Sequence, residues 1–319
     1  MKYFVVFAVA FLFSLHSLGQ IKATYIDSLE VSVADIKEDL LKIKENYYVI
    51  MPYGIAGNIG VYIGKENVIL IDDQWSILST RIKEILKTIT DKPIKYIINT
   101  HFHFDHVDGN KSFGKENIPI ISHKNVRERL SKDQVLSSFV LQKAYPADGL
   151  PTITFNDSMQ LFEDKEVFEL IHFKSAHTDG DVIIHFKKAD IYHTGDIFVT
   201  YGLPFIDENN GGEIYGMIGA IDYLLSVSNA ETKFIPGHGP VCSIKELSEY
   251  SKLLTSIKDQ VANLIKKGVS PDKIINEVEI DEKIKGVDKK DFISHVYRMV
   301  LKRNLAKKTN ISDFYVAIL

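Results

Sequence analysis

Cysteine is nearly missing from this chain, where Cys242 stands alone among 319 residues. No intramolecular disulfide can form, so stability must come from a packed core rather than from cross-links. No charge of one sign dominates either, because 38 lysines and arginines face 42 aspartates and glutamates, for a formal net charge of -4. That balance offers no basic surface for a phosphate backbone, which excludes nucleic acid as a partner at the level of composition. The chain also lacks internal repeats, low-complexity segments and a proline-rich linker. Its 45% hydrophobic and 25% charged residues are those of an ordinary folded protein, long enough for one large domain or two modest ones.

The amino terminus carries the longest-looking apolar feature, Lys2 followed by Tyr3 to Leu15 and then the small, polar stretch Ser17-Leu18-Gly19-Gln20. A bilayer-spanning helix takes roughly 20 apolar residues, so this shorter run predicts a cleaved secretory signal rather than an anchor. Residues 1–19 are therefore expected to be removed near Gly19, taking His16 with them and releasing a periplasmic or secreted protein. No cysteine lies near the cleavage point to accept a lipid, so no membrane anchoring is expected afterwards.

Two β-branched runs between Asn58 and Asp73, joined across Gly64 to Asn67, predict a hairpin of buried strands. Ile82, Ile85, Leu86 and Ile89 recur at helical spacing, with Ser79 as the expected cap, until Asp91-Lys92-Pro93 ends the pattern. Ile94 to Ile98 predicts a strand, Ile118 to Ser122 another, and Lys124 to Leu130 a short helix, while Gln134 to Asp148 is ambiguous. Thr152 to Phe155, Val167 to Phe173, Val182 to Phe186 and Ile191 to Thr194 read as successive strands of a second sheet. A helix over Gly212 to Ser226 and a strand at Lys233 to Ile235 complete an α/β unit spanning residues 20–243. From 244 to 319 the pattern is helical: one long amphipathic helix ending near Gly268, then shorter ones over Pro271 to Val278 and Asp291 to Leu301.

Chemistry concentrates in NTHFHFDHVDG, residues 99–109. His101 and His103, one residue apart in extended chain, point to the same side and can share an ion. Asp105 and His106 follow on the next turn, and imidazole with carboxylate is a ligand set that suits zinc. Packing this many polar groups at the mouth of a buried strand costs several kcal/mol in desolvation unless a cation pairs with them. Four donors in one loop cannot surround an ion, so others must come from afar. His177 in SAHTDGD, Asp196 in HTGD and His238 in PGHGP stand ready, each flanked by glycine or proline.

The run HFHFDH, then His177, then Asp196 in TGD, then His238 in PGHGP, resembles the metallo-β-lactamase superfamily over roughly Asn58 to Val241. The resemblance implies a four-layer αββα sandwich, with the residues after 243 as a helical extension. It also implies two zinc ions per chain, with iron or manganese as alternatives. His101, His103 and His177 would hold the first ion, Asp105, His106 and His238 the second, and Asp196 would bridge them. In similar proteins an aspartate placed like Asp72 orients the metal loop rather than ligating. His123, His172, His185, His193 and His295 match no ligand position, although His193 lies close enough to Asp196 to support it.

Two such ions lower the pKa of a bridging water enough to supply hydroxide near neutral pH. The expected activity is hydrolysis of an ester-, thioester-, lactone- or lactam-type bond in a small molecule, with Asp105 orienting the water and carrying its proton to the leaving group. A dedicated β-lactamase of the best-known similar subclass carries cysteine where Asp196 stands and lysine where Val199 stands, so β-lactam hydrolysis is the alternative rather than the first expectation. A non-hydrolytic di-iron redox protein is the other alternative, disfavoured by His103 and by the lack of a flavin-binding half. Export and the net acidity speak against a glutathione-dependent cytosolic role and against ribonucleases. The loop from Phe198 to Gly212 is expected to wall the cleft or to be purely structural.

Overall fold

A strand that is apolar at every position must bury both faces; the run ending in Asp72 is of that kind, as is the Ile97-Ile98 end of the run that leads to Asn99. In the computed structural model these runs lie at the centre of a seven-stranded sheet. The structure describes residues 24–25, 38–52, 56–138 and 140–316, with backbone alone at 24–25 and 307–316. The expected export segment and its cleavage point lie outside the described residues.

Strands β1 (Thr24–Tyr25), β8 (Gln134–Val135) and β9 (Val140–Gln142) form a small sheet, which resolves the ambiguous stretch after Leu130. The first large sheet runs through β2 (Glu38–Lys44), β3 (Tyr47–Pro52), β4 (Ile59–Ile63), β5 (Val68–Ile71), β6 (Ile94–Ile98), β7 (Ile120–His123) and β10 (Ile153–Phe155). It is antiparallel from β2 to β5 and parallel from β5 to β10. The second contains β11 (Ser158–Glu163), β12 (Glu166–His172), β13 (Val182–Phe186), β14 (Ile191–His193) and β15 (Lys233–Ile235).

The expected partition of strands between sheets needs correction. β10 extends the first sheet beside β7, with Ile153 opposite Ile121, and the crossing falls at Asn156-Asp157. The second sheet opens instead on β11, whose alternating exposed and half-buried residues make too little apolar signal to stand out as a strand.

Alternation sorts each strand between layers. Ile69, Ile71, Ile98 and Ile121 face Phe168, Leu170, Val182 and Ile184 across the sandwich, while Val68, Leu70, Ile97 and Ile120 turn outward beneath helix α1 (Ser79–Lys87). On the far side Ile183, Tyr192 and Phe234 meet helices α5 (Ile214–Val227), α6 (Ile244–Lys266), α7 (Pro271–Glu277) and α8 (Lys289–Val316) in one apolar cluster. Short helices α2 (Phe104–Val107), α3 (Asn110–Phe113) and α4 (Lys124–Leu130) follow the parallel strands. The result is the four-layer αββα sandwich with carboxy-terminal helices packed against its second helical layer.

Two helix ends differ from expectation. Ser79 does not cap α1; it sits inside the helix, nearly buried, after a 3-10 turn at Ser76–Leu78. The cap comes from outside, because Asp108 accepts hydrogen bonds from the Ser76 N–H at 2.9 Å and its hydroxyl at 2.5 Å. Helix α8 runs 28 residues, well past Leu301. Helix α6 starts as its sequence suggests: Ser243 and Glu246 form a reciprocal capping box, the Ser243 N–H donating to Glu246 at 3.0 Å. Ser243→Ala should cost about 1 kcal/mol, read as a lower urea midpoint with an unchanged slope. Among the described residues no helix is long and apolar enough to cross a membrane.

Candidate metal centre

Parallel strands in register end at one level, and that level is where the polar loops open. Ile71 pairs with Ile98 and Ile98 with Ile121, so Asp72, Asn99-Thr100 and Ser122-His123 arrive side by side. In the second sheet His193 pairs with Ile235, bringing the turns that carry Asp196 and His238 together. His177 comes from the loop between β12 and β13, and Asp105 and His106 from α2.

All seven residues named from sequence meet at this edge. Ligand atoms of His101, His103 and His177 lie within 4.8 Å of one another, as do those of His101, His106 and Asp196 and those of Asp105, His106 and His238. His177 Nε2 is 2.9 Å from His103 Nδ1, and His106 Nε2 is 3.2 Å from His238 Nε2. Asp196 stands between the groups: its Oδ2 is 3.6 Å from His177 Nε2, and its Oδ1 is 3.1 Å from His106 Nε2 and 3.5 Å from His238 Nε2.

A second layer fixes how these rings point. His106 Nδ1 is 2.8 Å from Asp72 Oδ2, His103 Nε2 is 3.0 Å from Asp207 Oδ2, and His177 Nδ1 is 2.7 Å from the Phe205 carbonyl. Each outward nitrogen therefore donates, leaving the inward one with a lone pair. Asp72 also accepts from the Thr100 N–H at 2.8 Å and hydroxyl at 2.7 Å, so it braces the metal loop rather than entering the cluster. It holds φ at 64°, a left-handed conformation that aspartate tolerates better than bulky residues do, while its N–H donates to the Ile98 carbonyl at 2.8 Å.

Sequence reasoning missed Asp207, which carries no local signal beyond lying in an aromatic loop. It also missed Asn58, whose amide donates to the carbonyls of Pro236 and Gly239 at 2.8 Å each and so ties the His238 loop to β4. His193 is part of that brace, accepting from the Gly195 N–H at 3.3 Å and donating to the Asn58 carbonyl at 3.2 Å. His123 and His172 instead stack on each other at 3.6 Å, His185 stacks on Tyr192 at 3.9 Å, and His295 faces Glu208 at 3.4 Å. The loop after Phe198 reaches the cluster: Tyr201 lies 5.8 Å from His238 and Phe205 5.8 Å from His103, ring to ring, while the Phe205 carbonyl and Asp207 hold histidines from behind. Helix α8 steadies the loop through Arg298 and Glu208 at 2.9 Å.

Charge divides the cluster. Burial, reinforced by His106, His177 and His103, holds His101 well below the usual histidine range, and burial takes His177 down to about 4. Burial also acts on His238, but Asp196 and Asp105 outweigh it and lift the imidazole to about 9. The same carboxylates raise His106 well above its ordinary value. In return His238 and His106 overcome burial to hold Asp196 well below the carboxylate range. His101 and His177 are thus held as neutral imidazoles, while the carboxylates among the other donors draw positive charge toward them.

These residues fit divalent metal. His101 Nε2 is buried without a hydrogen-bond partner, and opposed imidazole nitrogens 2.9 and 3.2 Å apart share the same space. A cation between such lone pairs satisfies all of them at once.

Residues 52–239 match the metallo-beta-lactamase superfamily. A protein of Methanocaldococcus jannaschii named a probable metallo-hydrolase is 30% identical over 207 residues, covering 63% of this chain and 96% of that protein. The hydroxyacylglutathione hydrolase of Pelagibacter ubique is 28% identical over 159 residues, 49% of this chain and 57% of the relative. In structure, a stereoselective inverting sec-alkylsulfatase of Pseudomonas superposes with a TM-score of 0.62 at 15% identity, over 82% of this chain and 50% of that one. The chain belongs to the metallo-β-lactamase superfamily, and it is a metallo-hydrolase.

Proposed function

We propose that the protein is an exported binuclear zinc hydrolase acting on an ester-, thioester- or lactone-type bond, with a lactam as the alternative. The observation that carries this reading is the position of Asp196, whose two carboxylate oxygens face different histidine groups, Oδ2 toward His177 and Oδ1 toward His106 and His238. One carboxylate serving two donor sets is what a pair of ions requires, with His101, His103 and His177 on one side and Asp105, His106 and His238 on the other. A bound zinc pair supplies hydroxide at neutral pH and polarises a carbonyl oxygen.

The chain's own residues do the rest. Asp105 Oδ2 lies 3.3 Å from His238 Nε2 at the more open side of the cluster, a position from which the carboxylate can accept a proton and return it to a leaving group. Tyr201 and Phe205 offer an aromatic wall beside His238, His103 and His177. Val199 is buried in the outer helical cluster, so its position offers no cation to a β-lactam carboxylate.

Three measurements test the reading. Elemental analysis of the purified protein should find about two zinc ions per chain; iron with a visible charge-transfer band would replace hydrolysis with redox chemistry. A panel of ester, thioester, lactone, β-lactam, sulfate and phosphodiester substrates, run against a His101→Ala control, should give its largest signal on an acyl ester, thioester or lactone. Export is checked by the intact mass of the protein recovered from the periplasm or medium, which should lack residues 1–19.

A further inference from the structure

Behind His103 the hydrogen bonds do not stop at Asp207. The Asp207 carboxylate takes four donors: the Ser137 N–H and hydroxyl on Oδ1 at 2.9 Å each, and His103 Nε2 at 3.0 Å and Asn210 Nδ2 at 2.7 Å on Oδ2. Asn210 in turn offers its Oδ1 to Arg129 Nη1 at 2.9 Å.

Arg129 projects from α4 and lines a cleft of about 180 Å³ at the surface, with Asn125, Lys132, Gln134 and Asp179. Its Nε and Nη2 donate to the two oxygens of Asp179 at 3.3 and 2.7 Å, and Nη1 reaches both Gln134 and Asn210. The guanidinium is thus locked as a fork, and the fork holds the oxygen end of the Asn210 amide.

An asparagine amide has an acceptor end and a donor end, and the wrong end toward a carboxylate repels it. A guanidinium has only donors, so Arg129 holds the Asn210 oxygen outward, while the Val135 carbonyl at 3.2 Å and Asp207 at 2.7 Å take its NH2. Asp207 therefore stays an acceptor, His103 must donate to it from Nε2, and the lone pair of His103 is left on Nδ1, the atom facing His177 Nε2 at 2.9 Å. We infer that Arg129 is a positioning residue: through Asn210 and Asp207 it sets the tautomer and orientation of His103, and with them the metal affinity of the His101, His103 and His177 group.

The inference rests on the reading of those histidines as metal ligands, and metal affinity separates the two. Zinc and cobalt dissociation constants are measured by chelator competition on wild type, Arg129→Met, Asn210→Ala and the double variant, with the cobalt d–d spectrum as a second readout. Wild type should bind tightly; failure to do so overturns the ligand reading itself. Arg129→Met should bind about tenfold more weakly, at the low end of the effect of residues behind metal ligands, with a shifted cobalt band. The double variant should be no weaker than Asn210→Ala alone, because both lie on one path.

Asp179→Asn is the control for mere loss of the surface ion pair, since it leaves the Arg129 bond to Asn210 available, and it should stay within about twofold of wild type by the same measure. If Arg129→Met does not fold, Arg129→Lys carries the test, because a single ammonium cannot hold Asp179 and Asn210 in the fork. Affinity and spectrum unchanged in a folded Arg129 variant, or additive losses in the double variant, would overturn the assignment.

Discussion

A fully metallated Asp105→Asn variant is expected to turn over about 10²–10⁴ times more slowly than wild type, the range by which a positioned acid or base contributes. Asparagine keeps the shape of the side chain and an oxygen for a ligand position, but its amide cannot accept a proton from water and return it to a departing oxygen or sulfur. The native group is ready for that task near neutral pH. Burial favours the protonated form, yet His106 and His238 outweigh it and hold Asp105 below the ordinary carboxylate range. The sign follows: the carboxylate is present above its folded pKa, so the activity that depends on it falls as pH drops toward that value, not as pH rises. Metal content must be measured alongside turnover, because Asp105 sits 3.9 Å from His106 Nε2 and 3.3 Å from His238 Nε2 and is itself a candidate ligand. Full turnover in a variant that holds both ions would remove the proton-carrying role and leave Asp105 a ligand alone.

Much of this site was legible before any coordinates because ligand chemistry is written in residue type. His101, His103, Asp105 and His106 are crowded into one loop, and no core or surface role asks for four such groups at a strand end. The doubly buried chain was legible for a similar reason: β5 is an unbroken apolar run and β6 closes on Ile97-Ile98, which the parallel centre of a two-sided sheet demands. What stayed hidden depends on distance rather than type. Asp207 is one aspartate among many until the fold brings it 3.0 Å from His103, and Asn58 means nothing until Pro236 and Gly239 lie beside it. The start of α1 was misjudged because its cap, Asp108, arrives from the far side of the metal loop. The boundary between sheets was misplaced because β10 and β12 look alike locally, and only the free edge of β7 decides which sheet takes β10.

The two glycines at positions 237 and 219 should answer the same substitution in opposite ways. At Gly237 a Cβ would lie 1.9 Å from Asp196 Oδ1 and 2.7 Å from the Gly195 carbonyl carbon, far inside any contact real atoms make. The backbone cannot give way freely, since the Gly237 N–H is held by the carbonyls of Gly195 at 2.8 Å and Phe198 at 3.0 Å. The side chain that moves is then Asp196, the carboxylate proposed to serve both ions, and a displacement near 1 Å at such a centre costs about a hundredfold in rate. Gly237→Ala is therefore expected to lose about that much kcat/KM together with metal from one half of the site, measured as zinc per chain after dialysis. At Gly219, on the exposed side of α5, a Cβ meets nothing within 4 Å. There alanine only restricts the unfolded chain and improves the helix, so Gly219→Ala should raise stability by about 0.5–1 kcal/mol with activity unchanged. Equal activity in the two variants would mean that Asp196 tolerates displacement, and the proposed bridge between the two donor sets would have to be abandoned.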